Sequence, residues 1–277
     1  MFEEKRSNRL PLAAFFLLAF GCSWLVEVPL ALAARGVIGV KIPEYVHYAA
    51  GYGPLLAALA VTWFTEGKAG LLDLIRRITR WKVPLRWWLA ALSPLGVYLL
   101  VGAGLNLFRG TPLDLAALGQ VDFLPPLGLA AGPLWILTFG IGEEAGWRGY
   151  ALPQLQQKRG ALGSTLILWV FWGLWHLPLF FYSYPVSVIP GFLIGLLAGS
   201  VVFTWLSNST KGSVLVCAVW HGMYNLTTAC GPCTEGWAAP VISTLVMVLA
   251  VLVVVLFKPS DLSTRKRTPS AARPQAP

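Results

Sequence analysis

Two adjacent glutamates, Glu143 and Glu144, lie inside an apolar stretch of about residues 133–152, and Arg148 follows the second by four positions. Ionisable side chains at bilayer depth cost about 2.5–3.5 kcal/mol each even on the lenient insertion scale, so a membrane protein keeps them for substrate, ions, protons or catalysis. On a helix, Glu144 and Arg148 share a face and pair. Glu143 is rotated about 100° away and is free to point elsewhere. One carboxylate is held by the arginine and the other is available for chemistry. His176 comes later, one turn after Trp172, and His221 and Asn225 are a further i,i+4 pair. A glutamate and a histidine can share a water, take its proton and make a nucleophile. His221 with Asn225 presents donors on one face, which suits an oxyanion hole. Together these parts hydrolyse an amide without a covalent intermediate, and no serine or cysteine is placed as a nucleophile. A second chemistry uses the same residues: Glu143, His176 and His221 make a hydrolytic zinc ligand set, although the chain has no His-Glu-x-x-His.

The elements that must position these residues are membrane helices. The chain has 277 residues, 56% hydrophobic and 12% charged, with a mean hydropathy of +0.66. Soluble domains carry about 25% charged residues. Apolar runs near 20 residues recur at about 10–34, 45–64, 87–108, 133–152, 163–181, 186–206, 212–229 and 238–257. The reading is all-α: a polytopic membrane protein of eight transmembrane helices enclosing an intramembrane catalytic cavity. Residues 1–257 form one domain, with the motifs within 143–225, and 258–277 is a basic, disordered tail. Lys5, Arg6 and Arg9 precede a first run too long for the roughly 7–15-residue core of a signal peptide, so it is read as a transmembrane helix. Glu27 is placed at an interface, and His47, beside Tyr45 and Tyr48, is read as interfacial as well. Leucines and isoleucines among the basic residues of 65–86 predict an amphipathic helix on the membrane. Gly191, Gly195 and Gly199 predict a close-packing face.

Of the 21 Lys and Arg residues, 18 fall on one side of this eight-span topology. Both termini are therefore cytoplasmic, and the protein is integral to a membrane, the cell membrane in a bacterium. The net charge of +9 reflects topology and lipid contact, not nucleic acid. With a rise of about 1.5 Å per residue, Glu143 and His221 lie roughly 14 Å from the cytoplasmic helix ends and His176 roughly 20 Å. Interhelical hydrogen bonding explains any one such residue. Six polar groups from three helices at one depth argue for a site.

Other function classes fit single features. Cys230-Gly-Pro-Cys233 resembles a thioredoxin-like redox sequence and raises a membrane thiol oxidoreductase, but no βαβ context surrounds it, and a local disulfide also fits. Midplane charges also mark transporters, yet no internal repeat is visible. A non-catalytic immunity or binding protein that retains the motifs is a further alternative.

The three motifs resemble those of the CPBP family, the CAAX protease and bacteriocin-processing (Abi) intramembrane endopeptidases. Glu-Glu-x-x-x-Arg stands here as Glu143, Glu144 and Arg148, Phe-x-x-x-His is matched at His176 with Trp172 in the phenylalanine position, and His-x-x-x-Asn is intact at His221 and Asn225. The resemblance implies an eight-helix endopeptidase in which Glu143 and His176 activate water while His221 and Asn225 hold the oxyanion, with Glu144, Arg148 and Trp172 in support. It implies a membrane-associated protein or lipidated peptide, CAAX-type among them, as substrate. No cofactor is favoured, and zinc on Glu143, His176 and His221 stays open.

Overall fold

A computed structural model describes residues 10–110, 112–121, 124–125 and 127–264, all of whose long elements are helices. Lys5, Arg6, Arg9 and residues 265–277 lie outside the described residues. The helices are α1 (Leu10–Ala34), α2 (Gly53–Ile78), α3 (Leu85–Ala91), α4 (Ser93–Arg109), α5 (131–156), α6 (Ala161–Trp175), α7 (Ile189–Ser209), α8 (Val214–Thr228) and α9 (Ala238–Leu256). Among them, five stretches are long and apolar enough to cross a membrane: Leu10–Ala34, Glu44–Ile78, Ala161–Phe181, Val186–Ser209 and Ala238–Leu256. The pair α3–α4, bent by 63°, makes a sixth if it counts as one span. The two other expected spans are α5, broken by π turns, and α8, only 15 residues long. These two carry the buried Glu143, Glu144, Arg148 and His221, and a helix enclosed by other helices needs no lipid-matched exterior.

Lipid-facing helices are apolar on both sides, so their inner faces are marked by size and polarity instead. In α1 the inner face is Phe15, Phe16, Ala19, Ser23, Glu27 and Leu30, while Leu17 and Leu25 are 75% and 78% exposed. Ser23 donates to the Ala50 carbonyl at 2.7 Å. Glu27 is 1% exposed, and its carboxylate lies 3.5 Å from His47 Nδ1. His47 also shares a 2.6 Å hydrogen bond with Tyr182, so the buried carboxylate has a partner that is itself held in place.

Helix α2 breaks at Gly67, whose φ of 61° is open to glycine and strained for other residues. Beyond it, Gly70 and Leu74 are buried while Leu72 and Ile75 are exposed, the two-faced pattern expected of this segment. Leu74 packs at Gly149, and Arg77 donates to the Gly149 carbonyl, so this helix braces α5.

Helix α5 is seated by close backbone approach. A methyl on Gly140 would stand 2.5 Å from the Ala218 carbonyl oxygen of α8, and one on Gly142 2.5 Å from the Gly51 carbonyl oxygen. On Gly146 it would stand 2.5 Å from Pro54. The glycines of α7 play no such part: a methyl at Gly191, Gly195 or Gly199 meets no heavy atom within 4 Å. Small-residue spacing permits close approach but does not produce it; here α5 and α8 have taken that role.

Past α9, residues 258–264 fold back onto the bundle. The first free N–H groups of α6, on Ala161 and Leu162, donate to the carbonyls of Ser260 and Pro259 at 2.9 Å each, and Leu262 is fully buried. Cys230 and Cys233 form a disulfide in the α8–α9 connection, with both sulfurs buried. Cys22 and Cys217 are free thiols.

Candidate active site

The middle of α5 is a short α-helical piece, Gly142–Gly146, between π-helical turns at Ile136–Ile141 and Trp147–Ala151. Such turns are frequent at functional sites because each inserts a residue and re-aims the side chains around it. Both glutamates and Arg148 are at most 3% exposed. Arg148 Nη1 lies 3.1 Å from Glu144 Oε1, which is the i,i+4 pair anticipated from spacing. The guanidinium carbon also lies 4.3 Å from the Trp172 ring centre and 4.2 Å from that of Phe203. Nε and Nη2 of Arg148 have no hydrogen-bond partner among the described residues, so the two aromatic faces are what receive the rest of its charge. Stacking of this kind contributes about 2 kcal/mol or more where water is excluded.

Helix α6 stops at Trp175 because Pro178 has no N–H to return to the Leu174 carbonyl. His176 is the residue at that stop, half-buried, with Nδ1 2.7 Å from the Trp172 carbonyl. A carbonyl only accepts, so Nδ1 carries the hydrogen and Nε2 of the neutral ring keeps its lone pair. The exposed Trp175 carbonyl is satisfied from outside by Trp24 Nε1 of α1 at 3.0 Å. Five residues past His176, Arg35 donates to the Phe181 carbonyl at 2.9 Å. The break is therefore fixed at both ends, by Trp24 of the first helix and by Arg35 just past its end.

Glu143 Oε2 accepts from Trp172 Nε1 at 2.8 Å. His221 comes from α8, whose Gly222 approaches the Ile136 backbone of α5. Its Nδ1 lies 3.0 Å from Glu144 Oε1, the oxygen that also receives Arg148. The His221 ring stands 6.0 Å from Trp172 and 5.4 Å from Phe203, edge-on and tilted respectively. Asn225 is half-buried, one turn further along α8.

Contacts thus join Glu143, Glu144, Arg148, Trp172, His176 and His221 in one cluster, and Asn225 stands next to it along α8. Glu143 and His176 share no direct hydrogen bond among the described residues; both are held by Trp172. Three features were not anticipated. Glu144 serves His221 as well as Arg148, Trp172 donates a hydrogen bond rather than only shaping the pocket, and Phe203 adds a second ring against the guanidinium. An aromatic opposite a buried arginine is invisible in spacing because it comes from another helix. His47 stays outside the cluster, on the Glu27 and Tyr182 side.

A zinc ion does not fit this arrangement. Among the described residues, no three His, Cys, Asp or Glu side chains are grouped to hold a metal ion.

Residues 125–227 match the family described as Rce1-like, type II CAAX prenyl endopeptidase. The chain is also 30% identical over 147 residues to CAAX prenyl protease 2 of Methanococcus maripaludis, covering 50% of this chain and 51% of that protein. It thus spans about half the length of the curated relative it matches. Every residue of the three motifs falls inside the matched stretch, and the resemblance to the CAAX protease family is borne out there.

Proposed function

We infer that this protein is an intramembrane endopeptidase that hydrolyses a peptide bond of a membrane-associated, prenylated CAAX-type protein or peptide. The observation that carries the reading is the pairing of Glu143 and His176 through Trp172, beside a His221 oriented by Glu144. In this reading α5 and α8, with α3–α4 as one span, complete eight crossings around the site, and both termini face the cytoplasm. Residues 1–257 act as one domain.

A water donates one hydrogen to the His176 Nε2 lone pair and yields the other to Glu143 as it attacks the scissile carbonyl. Oxygen and carbon form the new bond, and the carbonyl electrons move onto the oxygen. His221, paired to Glu144, works as the imidazolium, with Nδ1–H directed at the carboxylate and Nε2–H directed at the oxyanion. The Asn225 amide supplies a second donor. Two carboxylates, one guanidinium and one imidazolium then balance in charge, which is what a buried set requires. Collapse of the tetrahedral intermediate breaks the C–N bond, and the proton held by Glu143 passes to the leaving amine. No step uses a cofactor.

The test places the purified protein in lipid nanodiscs with a quenched fluorogenic farnesylated peptide and its unprenylated counterpart. The farnesylated peptide should be cleaved, with or without a chelator, and Glu143→Gln should abolish turnover while peptide binding survives. Full activity in Glu143→Gln refutes the mechanism. Stoichiometric zinc lost together with activity on chelation refutes the metal-free form of it.

A further inference from the structure

The second motif carries tryptophan where the family pattern has phenylalanine, and the extra atoms are in use. One edge of Trp172 donates Nε1–H to Glu143 Oε2 at 2.8 Å. Its face receives the Arg148 guanidinium at 4.3 Å. Its backbone carbonyl holds His176 Nδ1 at 2.7 Å. A phenylalanine reproduces the face and the carbonyl but has no donor to offer. Trp172 is 3% exposed and its N–H points at a buried carboxylate, so no water competes for this bond at little cost.

Building on the endopeptidase reading, we propose that Trp172 is a positioning residue for catalysis: its indole N–H pins Glu143 Oε2 and leaves Oε1 to take the proton from water. A carboxylate without this anchor rotates about its last torsion, which is broad and two-fold. The pin therefore fixes which oxygen faces the water and where it stands relative to His176. Because the same residue holds His176, the two groups that share the water are set by a single side chain and its own backbone. Arg148 on the indole face keeps the ring from tipping.

The experiment is Trp172→Phe in the farnesylated-peptide assay, with melting temperature measured in parallel. A hydrogen bond to a charged group is in play, so kcat should fall about tenfold, with KM within about twofold of wild type. Two double variants separate positioning from packing. Combined with Glu143→Asp, whose shorter arm is already misplaced, Trp172→Phe should cost little more. Combined with Asn225→Ala, on the oxyanion side, the full factor should persist. Wild-type kcat in Trp172→Phe overturns the proposal. So does a loss that multiplies equally in both backgrounds, or one that vanishes when activity is normalised to folded protein. Loss of turnover in Glu143→Gln with none in Trp172→Phe sinks this inference alone; unimpaired Glu143→Gln sinks the reading beneath it.

Discussion

Replacing Arg148 by alanine removes one partner of an ion pair that has no access to water. Glu144 is fully buried and Arg148 is 1% exposed, so neither charge is rescued by solvent. The change leaves Glu144 Oε1 with His221 alone, and Oε2 already has no hydrogen-bond partner among the described residues. It also empties the space between Trp172 and Phe203, whose rings lie 4.3 and 4.2 Å from the guanidinium carbon. Breaking a buried pair on one side costs about 3–5 kcal/mol, and the lost stacking is part of that figure rather than an addition to it. At a few degrees per kcal/mol for a chain of this size, the melting temperature in detergent should drop roughly 10 °C. Arg148→Lys should recover only part of the loss, because an ammonium lacks the planar face that the guanidinium lays against the rings. Glu144→Gln introduced with Arg148→Met should be closer to wild type than Arg148→Ala, since no uncompensated charge remains. A melting temperature within about 2 °C of wild type for Arg148→Ala would mean that the pair does not hold the bundle together.

Asn225→Ala should lower kcat by about 10²–10³ with little change in KM, read in the peptide assay, because the amide is required only when charge develops on the oxygen. Reporters fused at the two termini should both register cytoplasm, while thiol labelling after reduction should reach Cys230 and Cys233 only from the other side. Serine at both Cys230 and Cys233 should leave turnover within about twofold, since the disulfide lies in the α8–α9 connection away from the clustered carboxylates. A Gly140→Ala protein should be destabilised by about 1–3 kcal/mol in thermal unfolding, because the added methyl has a rigid backbone carbonyl of Ala218 in its way.

Spacing alone made the Glu144–Arg148 pair legible, because i,i+4 neighbours on a helix meet whatever surrounds them. It also placed Trp172 one turn before His176, and the Trp172 carbonyl is what His176 Nδ1 meets. What spacing could not reveal was contact between helices. Glu144 with His221 and Trp172 with Glu143 join residues 77 and 29 positions apart, and no periodicity encodes which pair will face. The same limit governs the glycines. Those of α7 have the more regular spacing, yet a methyl would collide with neighbouring backbone at Gly140, Gly142, Gly146 and Gly222 instead, where backbones of α5 and α8 and the Gly51–Pro54 turn converge. The partners of Glu27 were hidden for a related reason. His47 lies 3.5 Å from its carboxylate and Tyr182 binds that histidine in turn, contacts between separate segments that spacing does not encode.

The first helix lies outside the stretch that matches the CAAX protease family, yet it reaches the site at its most delicate joint. A helix that ends inside a membrane leaves carbonyls with no water to satisfy them. At this end the Trp172 carbonyl meets both the backbone N–H of His176, at 3.3 Å, and its ring Nδ1, at 2.7 Å. Trp24 supplies the missing donor to Trp175, and Arg35 does the same for Phe181. Without α1 the break would be both unsatisfied and free to move, and His176 would move with it. The helix end of the matched segment is therefore capped by donors that the matched segment does not itself contain.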